Sequence, residues 1–283
     1  MRFAKVHGLG NDFLFAAPGG GPAPAGPGAL ARRLCDRHTG VGADGLILLS
    51  LEKNEPAAAG FRIFNADGSE AEISGNGLRC AAAYLAWSGA VESPKVLFRT
   101  AAGDRPSEVL SARGTLYEVR IGLGEPRLAA PDIPFDDGRT SGPLIDHPLT
   151  AAGRTFPVTC VSMGNPHCSL FFDALPGPAE WHEIGAAIEG HPFFPRRTNV
   201  EFVRVLGPDA IEVLFWERGV GETLASGTGS AGAAVAAMLK GLVNRSVTVR
   251  TAIGSLKVEW PEGGPVLQTG PAEVVFSGDY PAE

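Results

Sequence analysis

The chain has 283 residues, enough for about two domains at roughly 150 residues each. Hydrophobic residues at 44% and charged residues at 19% support a sizeable core and exclude global disorder, while 38 Gly and 23 Pro without a G-x-y period exclude collagen. The formal net charge of −7 argues against a general polyanion binder, so no nucleic-acid partner is expected.

No run of 18 apolar residues predicts a membrane span, and Met1-Arg2-Phe3-Ala4-Lys5 lacks the apolar stretch of a signal peptide. The expected location is cytoplasmic, with no membrane partner. Cys35, Cys80, Cys160 and Cys168 form no C-x-x-C and no zinc pattern. They are expected to be reduced and buried, with no metal site.

In chain order, Phe3–Val6 and Asp12–Phe15 are predicted as short strands around a Gly-rich turn. Ala16–Ala29 is almost entirely Gly, Pro and Ala and reads as a surface loop, followed by a short helix over Leu30–Asp36. Gly45–Leu51 and Phe61–Phe64 are strands, and Gly77–Trp87 is an Ala-rich helix stopping near Gly89. Glu125–Pro148, rich in Pro, Asp and Gly, is the best candidate for a link between halves. Val158–Ser162, Ser169–Phe172, Val200–Val205 and Ile211–Trp216 are strands, Gly229–Leu242 a second Ala-rich helix, and Val247–Phe276 a strand meander.

The most informative feature is an internal repeat. FRIFNADGSEAEISGNGLRCAAAYLA from Phe61 aligns with VLFWERGVGETLASGTGSAGAAVAAM from Val213 at a constant offset of 152. Ser74-Gly75-Asn76-Gly77 falls on Ser226-Gly227-Thr228-Gly229, and Glu70 on Glu222. Upstream, Gly10-Asn11 and Gly164-Asn165 match more loosely. Two copies of domain size imply a duplicated domain with a cleft between related halves, not a solenoid.

Serine at a helix start is a preferred N-cap, and the glycines after it allow close backbone approach. Free N–H groups and the positive helix end favour a carboxylate. Either motif alone reads as an ordinary capped helix; the pair suggests one small acid held from both sides. Asn11, Asn165 and Asn199 lie in turn-rich segments suited to the same site, and Arg218 can grip a carboxylate bidentately. Glu217 could take an ammonium, and His167, in the G-N-P-H turn, is the histidine most suited to function. There is no G-x-x-x-x-G-K-[ST], no dinucleotide G-x-G-x-x-G and no G-x-S-x-G elbow, which excludes those readings.

These segments resemble the cofactor-independent diaminopimelate epimerases nearly end to end. HGLGNDF (7–13), HTGVGADGL (38–46), FNADGSEAE (64–72), SGNGLRC (74–80), VSMGNPHC (161–168), RTNVEFV (197–203), ERGVGETLASGTGS (217–230) and TGPAEVVF (269–276) carry the resemblance. It implies a mixed α/β fold of two pseudo-symmetric domains, each a mixed β-sheet wrapped around a central helix, with the active site in the cleft between them. The expected halves are residues 1–125, completed by a C-terminal strand at 272–283, and residues 126–271. It further implies interconversion of LL- and meso-diaminopimelate for lysine and cell-wall synthesis without pyridoxal phosphate or any other cofactor, in a homodimer. The substrate-holding residues it implies are Asn11, Asn65, Gly75, Asn76, Asn165, Asn199, Glu217, Arg218, Gly227 and Thr228, with His167 and Glu217 assisting the chemistry.

The chain departs from the family at the chemistry. The two cysteines that exchange the α-proton across opposite faces belong before G-N-G and G-T-G, where this chain has Ser74 and Ser226. Cys80 lies six residues further on and is not expected to substitute. A thiol of pKa about 8.5 is roughly 3% thiolate at pH 7, whereas a hydroxyl ionises several units higher. A loss of about four units of available base costs on the order of 5 kcal/mol, about 10⁴-fold, partly recovered because the alkoxide is the stronger base. Four readings fit: a Cys→Ser form of an ordinary epimerase, a weakly active natural member, a catalytically inactive amino-acid-binding homologue, and a related amino-acid racemase or lyase with another substrate. The expectation taken forward is an epimerase-type site for diaminopimelate with serines at the two proton-transfer positions.

Overall fold

A computed structural model of the chain describes residues 1–16, 26–52 and 57–281. It divides into two compact units, Met1–Gly122 with Thr269–Glu283, and Leu123–Gln268.

In the first unit, β1 (Arg2–Gly8) and β2 (Asn11–Ala16) form an antiparallel hairpin. Its loop is Leu9-Gly10, both at positive φ (53° and 76°). That is the two-residue turn whose twist matches the strands, and it sets Asn11 at the turn exit. Helix α1 (Pro27–Cys35) crosses to β3 (Gly45–Leu51), parallel to β2, and β4 (Ala58–Asn65) returns antiparallel. The short β5 (Glu70–Ala71) folds back on β4 and leads into α2 (Gly75–Ser88). Strand β6 (Lys95–Thr100) runs parallel to β4, and β7 (Gly103–Arg113) and β8 (Leu116–Gly124) continue as an antiparallel meander.

The second unit repeats this order after β9 (Leu144–Ala151). Strands β10 (Arg154–Ser162) and β11 (Pro166–Phe171) form the hairpin, and α3 (Pro178–Glu189) crosses to the parallel β12 (Asn199–Gly207). Then follow β13 (Ala210–Glu217), β14 (Gly221–Thr223), α4 (Gly227–Leu239), β15 (Ser246–Thr251) parallel to β13, and β16 (Gly254–Glu259). The last strand, β17 (Val266–Asp279), pairs antiparallel with β1 from His7↔Glu273 to Arg2↔Asp279, so the chain end completes the first unit's sheet.

Each unit is therefore a mixed sheet around a central helix. Gly75–Leu85 of α2 and Gly227–Met238 of α4 are buried throughout, as a helix of Gly, Ala and other small residues must be when strands pack on every side. Helix α2 packs on β1, β2, β3 and β7, and α4 on β10 to β13, β15 and β16.

Several sequence expectations are corrected. The segment Glu125–Pro148 is not a link: Ala130, Ile133, Phe135 and Leu144 lie in the core of the second unit, and Pro131 sits in a 3-10 turn at Ala130–Asp132. Residues 27–29, read as loop, begin α1, where Pro27 suits a first helical turn whose N–H groups have no partner. Residues 17–25 of the expected loop lie outside the described residues. Helix α3 and strands β6 to β9 were not anticipated. All four cysteines are free and buried.

Candidate active site

Ser74 and Ser226 occupy equivalent places, each the N-cap of its unit's central helix. Ser74 Oγ accepts from Gly77 N–H at 3.0 Å, and Ser226 Oγ accepts from Gly229 N–H at 3.2 Å. Both caps have extended backbone, so each hydroxyl sits over the first turn among N–H groups that the helix itself leaves unpaired.

The surroundings of the two serines differ. Ser226 Oγ also donates to Glu217 Oε2 at 3.1 Å, and Thr223 Oγ1 donates to Glu217 Oε1 at 2.6 Å. Ser226 thus has a carboxylate partner, contributed by the end of β13 and not by the S-G-T-G motif. By the repeat, the position of Glu217 corresponds to Asn65, whose Nδ2 donates to Ser69 Oγ at 3.0 Å. Among the described residues, Ser74 Oγ makes only its cap bond.

A Gly-Asn turn meets the helix start in each unit. Asn76 Nδ2 donates to Asn11 Oδ1 at 3.1 Å, and Asn165 Nδ2 donates to Thr228 Oγ1 at 3.2 Å. Behind Asn165 lies His167, with 0% exposure, its Nε2 3.0 Å from Asn165 Oδ1 and its Nδ1 2.6 Å from Glu201 Oε1. Burial pushes the Glu201 carboxyl up against the opposing pull of His167. The position of His167 suits it to orient Asn165.

The Glu217-Arg218-Gly219 turn is pinned through its backbone. Asn199 Oδ1 accepts from Arg218 N–H at 2.9 Å while Asn199 Nδ2 donates to Pro166 O at 2.8 Å. Glu189, at the end of α3, accepts from Gly219 N–H at 2.7 Å and from Trp216 Nε1 at 2.9 Å. These bonds leave the Arg218 guanidinium exposed, with one contact to Arg196 O at 3.3 Å. The chain brings Ser226, Gly227, Thr228, Asn165, Asn199, Glu217 and Arg218 into the second unit, and Ser74, Gly75, Asn76, Asn11 and Asn65 into the first.

In the first unit a charged network backs Asn11. Its Nδ2 donates to Asp44 Oδ2 at 2.7 Å, and Arg37 bridges Asp44 and Asp12 at 2.8 Å each. Burial would raise the Asp12 carboxyl, but hydrogen bonds from Arg37 and Lys5 outweigh it and hold the group below its ordinary value. Cys80 is buried one turn inside α2, where desolvation pushes its thiol up to about 12, so it supplies no thiolate. Among the described residues, no group of three or more His, Cys, Asp or Glu is placed to hold a metal ion.

Sequence reasoning missed Asp44, Arg37, Arg79, Glu189 and Glu201. Glu189 and Glu201 carry no local signal, since their partners arrive from other elements. The buried Arg79 has one: a lone arginine inside an otherwise small and apolar helix, which must be paired to be there.

A family model described as diaminopimelate epimerase matches residues 3–129 and 159–275. The chain is similar to the diaminopimelate epimerase of Pelotomaculum thermopropionicum, 47% identical with 99% of each chain covered. It is also similar to that of Desulforudis audaxviator, 48% identical with 99% of each covered. Among solved structures, a hydroxyproline epimerase from Agrobacterium vitis shares the fold, with a TM-score of 0.68 at 19% identity over 98% of this chain and 91% of the other. On the full-length matches, the chain belongs to the diaminopimelate epimerase family.

Proposed function

We propose that the chain binds diaminopimelate and inverts its α-carbon through Ser74 and Ser226, in lysine and peptidoglycan-precursor synthesis. The observation that carries this reading is the equivalence of the two serines, each capping the central helix of a unit with the same topology. Both hydroxyls sit at positive helix ends, which stabilise the negative charge developing on the substrate as the α-proton leaves. Arg218 holds the α-carboxylate, and Asn11, Asn65, Asn76, Asn165, Asn199 and Thr228 orient the rest.

In the direction that starts at Ser226, Oγ takes the α-proton as its own hydroxyl proton passes to Glu217 Oε2. Ser74 Oγ–H then delivers a proton to the opposite face and is reprotonated from solvent, to which Glu217 releases the proton it accepted. In the reverse direction Ser74 must be the base without a carboxylate partner, so that direction is the slower at the proton-removal step. On this reading the protein works as a cytoplasmic homodimer without nucleic-acid or membrane partners.

Calorimetric titration with meso- and LL-diaminopimelate tests the binding half of the proposal. Binding of both isomers that weakens on Arg218→Gln is the expected result. Absence of binding to either isomer contradicts the substrate assignment.

A further inference from the structure

Arg79 lies in the second turn of α2 with 0% exposure, the largest fully buried side chain among the described residues. Burial pulls its pKa down to about 10, which still leaves it cationic near neutral pH. The backbone makes room for it: a Cβ on Gly8 would stand 3.3 Å from Arg79 Nη2 and 3.5 Å from Cys80 Sγ. Its Nε donates to Pro271 O of β17 at 3.4 Å, and its Nη2 donates to Asn76 Oδ1 at 2.6 Å.

A guanidinium has only donors, so the side-chain oxygen of Asn76 must face it. The Asn76 amide nitrogen is then turned outward and donates to Asn11 Oδ1 at 3.1 Å. That in turn directs Asn11 Nδ2 to Asp44 Oδ2 at 2.7 Å. Asp44 ends the chain as a carboxylate that also receives Asp12 N–H at 3.1 Å and Arg37 Nη2 at 2.8 Å. Donor-only at one end and acceptor-only at the other, the series Arg79–Asn76–Asn11–Asp44 permits a single orientation for both amides.

The second unit has no counterpart to this series. There the equivalent asparagine, Asn165, turns its nitrogen toward Thr228 and its oxygen toward His167. Asn11 and Asn165 therefore offer opposite ends of their amides to their helix starts. An α-amino acid carries one carboxylate and one ammonium, and the direction of a side-chain amide decides which of the two it meets.

We infer that Arg79 is a positioning residue for the amino-acid substrate, fixing from the core the direction of the Asn76 and Asn11 amides. The inference rests on the diaminopimelate reading for its ligand, and its test separates the two. The variants are Arg79→Met, Arg79→Lys and Asp44→Asn, each checked for folding by circular dichroism. The readouts are the Asn76 side-chain NH₂ resonances of the free protein and the Kd for meso-diaminopimelate by calorimetry.

Loss of a charge-assisted bond that orders a binding amide should weaken Kd by about tenfold or more in Arg79→Met, with partial recovery in Arg79→Lys. Asp44→Asn acts at the exposed end of the series, and should weaken binding and shift the Asn76 resonances two hydrogen bonds away. A folded Arg79→Met with unchanged Kd overturns the inference. So does an Asp44→Asn form whose Asn76 resonances and Kd match the parent. If the parent binds no diaminopimelate, the substrate reading fails, and unmoved Asn76 resonances in Asp44→Asn would still overturn the relay.

Discussion

A serine hydroxyl in place of a thiol changes the acid–base capacity of a site far more than its shape. Oγ still caps the helix, and the N–H groups and Arg218 that would hold a carboxylate are untouched. On the proposed assignment, a hydroxyl lacks the thiolate fraction that a thiol would supply, worth about 10⁴ in rate before Brønsted compensation. The Glu217 contact relieves this for Ser226 alone, so Glu217→Gln should slow α-proton exchange at the face served by Ser226 more than at the other. Isomer-resolved deuterium incorporation measures that difference. Arg218→Lys keeps the charge but loses the planar fork, and calorimetry should show Kd for diaminopimelate weakened by roughly 10-fold or more. At this scale the sequence motifs carried Ser74, Ser226, Asn11, Asn165, Asn199 and Arg218 because each sits in a local pattern. Glu217 is visible in the sequence, but its contact with Ser226 is not, because the eight residues between them, β14 included, fold back and bring the two together only in three dimensions.

Among the elements, the two central helices were the most legible, since S-G-x-G followed by an Ala-rich run combines a cap with uniform small side chains. Helix α3 was hidden by its composition: it starts at Pro178 and carries Gly185, yet Gly185 is what its packing needs. A Cβ there would stand 2.8 Å from the Trp216 ring. Strands β6 to β8 were obscured because one face is exposed and charged, leaving only short alternation to read. Close approach also defines α4, where a Cβ on Gly232 would meet His167 Cβ and Cγ at 2.8 Å. Gly232→Ala should therefore cost about 1–3 kcal/mol of stability through overpacking. It should also disturb Asn165, so a lowered thermal midpoint together with weaker diaminopimelate binding is expected. An unchanged midpoint would show that β11 yields freely.

For the whole molecule, duplication was readable from the constant offset of 152, because strand, acidic residue, cap and helix keep register. The boundary was harder to see. Proline-rich sequence looks like a linker, but Ile133 and Phe135 bury their side chains in the second core. The first unit carries the pH sensitivity of its charged network. Asp12 is held below its ordinary value, so its contribution to stability is complete above about pH 4 and is lost as pH falls through the lower, folded-state value. Thermal midpoints of the parent and Asp12→Asn should therefore differ most at pH 6 and converge toward pH 2.5. A gap that stays constant across that range would remove Asp12 from the account.

The most direct test is α-proton exchange of LL-diaminopimelate in D₂O, followed by NMR, for this chain and its Ser74→Cys/Ser226→Cys form. Slow or undetectable exchange by the serine form and an increase of about 10³–10⁴-fold in the cysteine form are expected. Equal exchange by both forms would show that hydroxyls suffice and contradict the assigned cost. Silence from both would contradict the substrate.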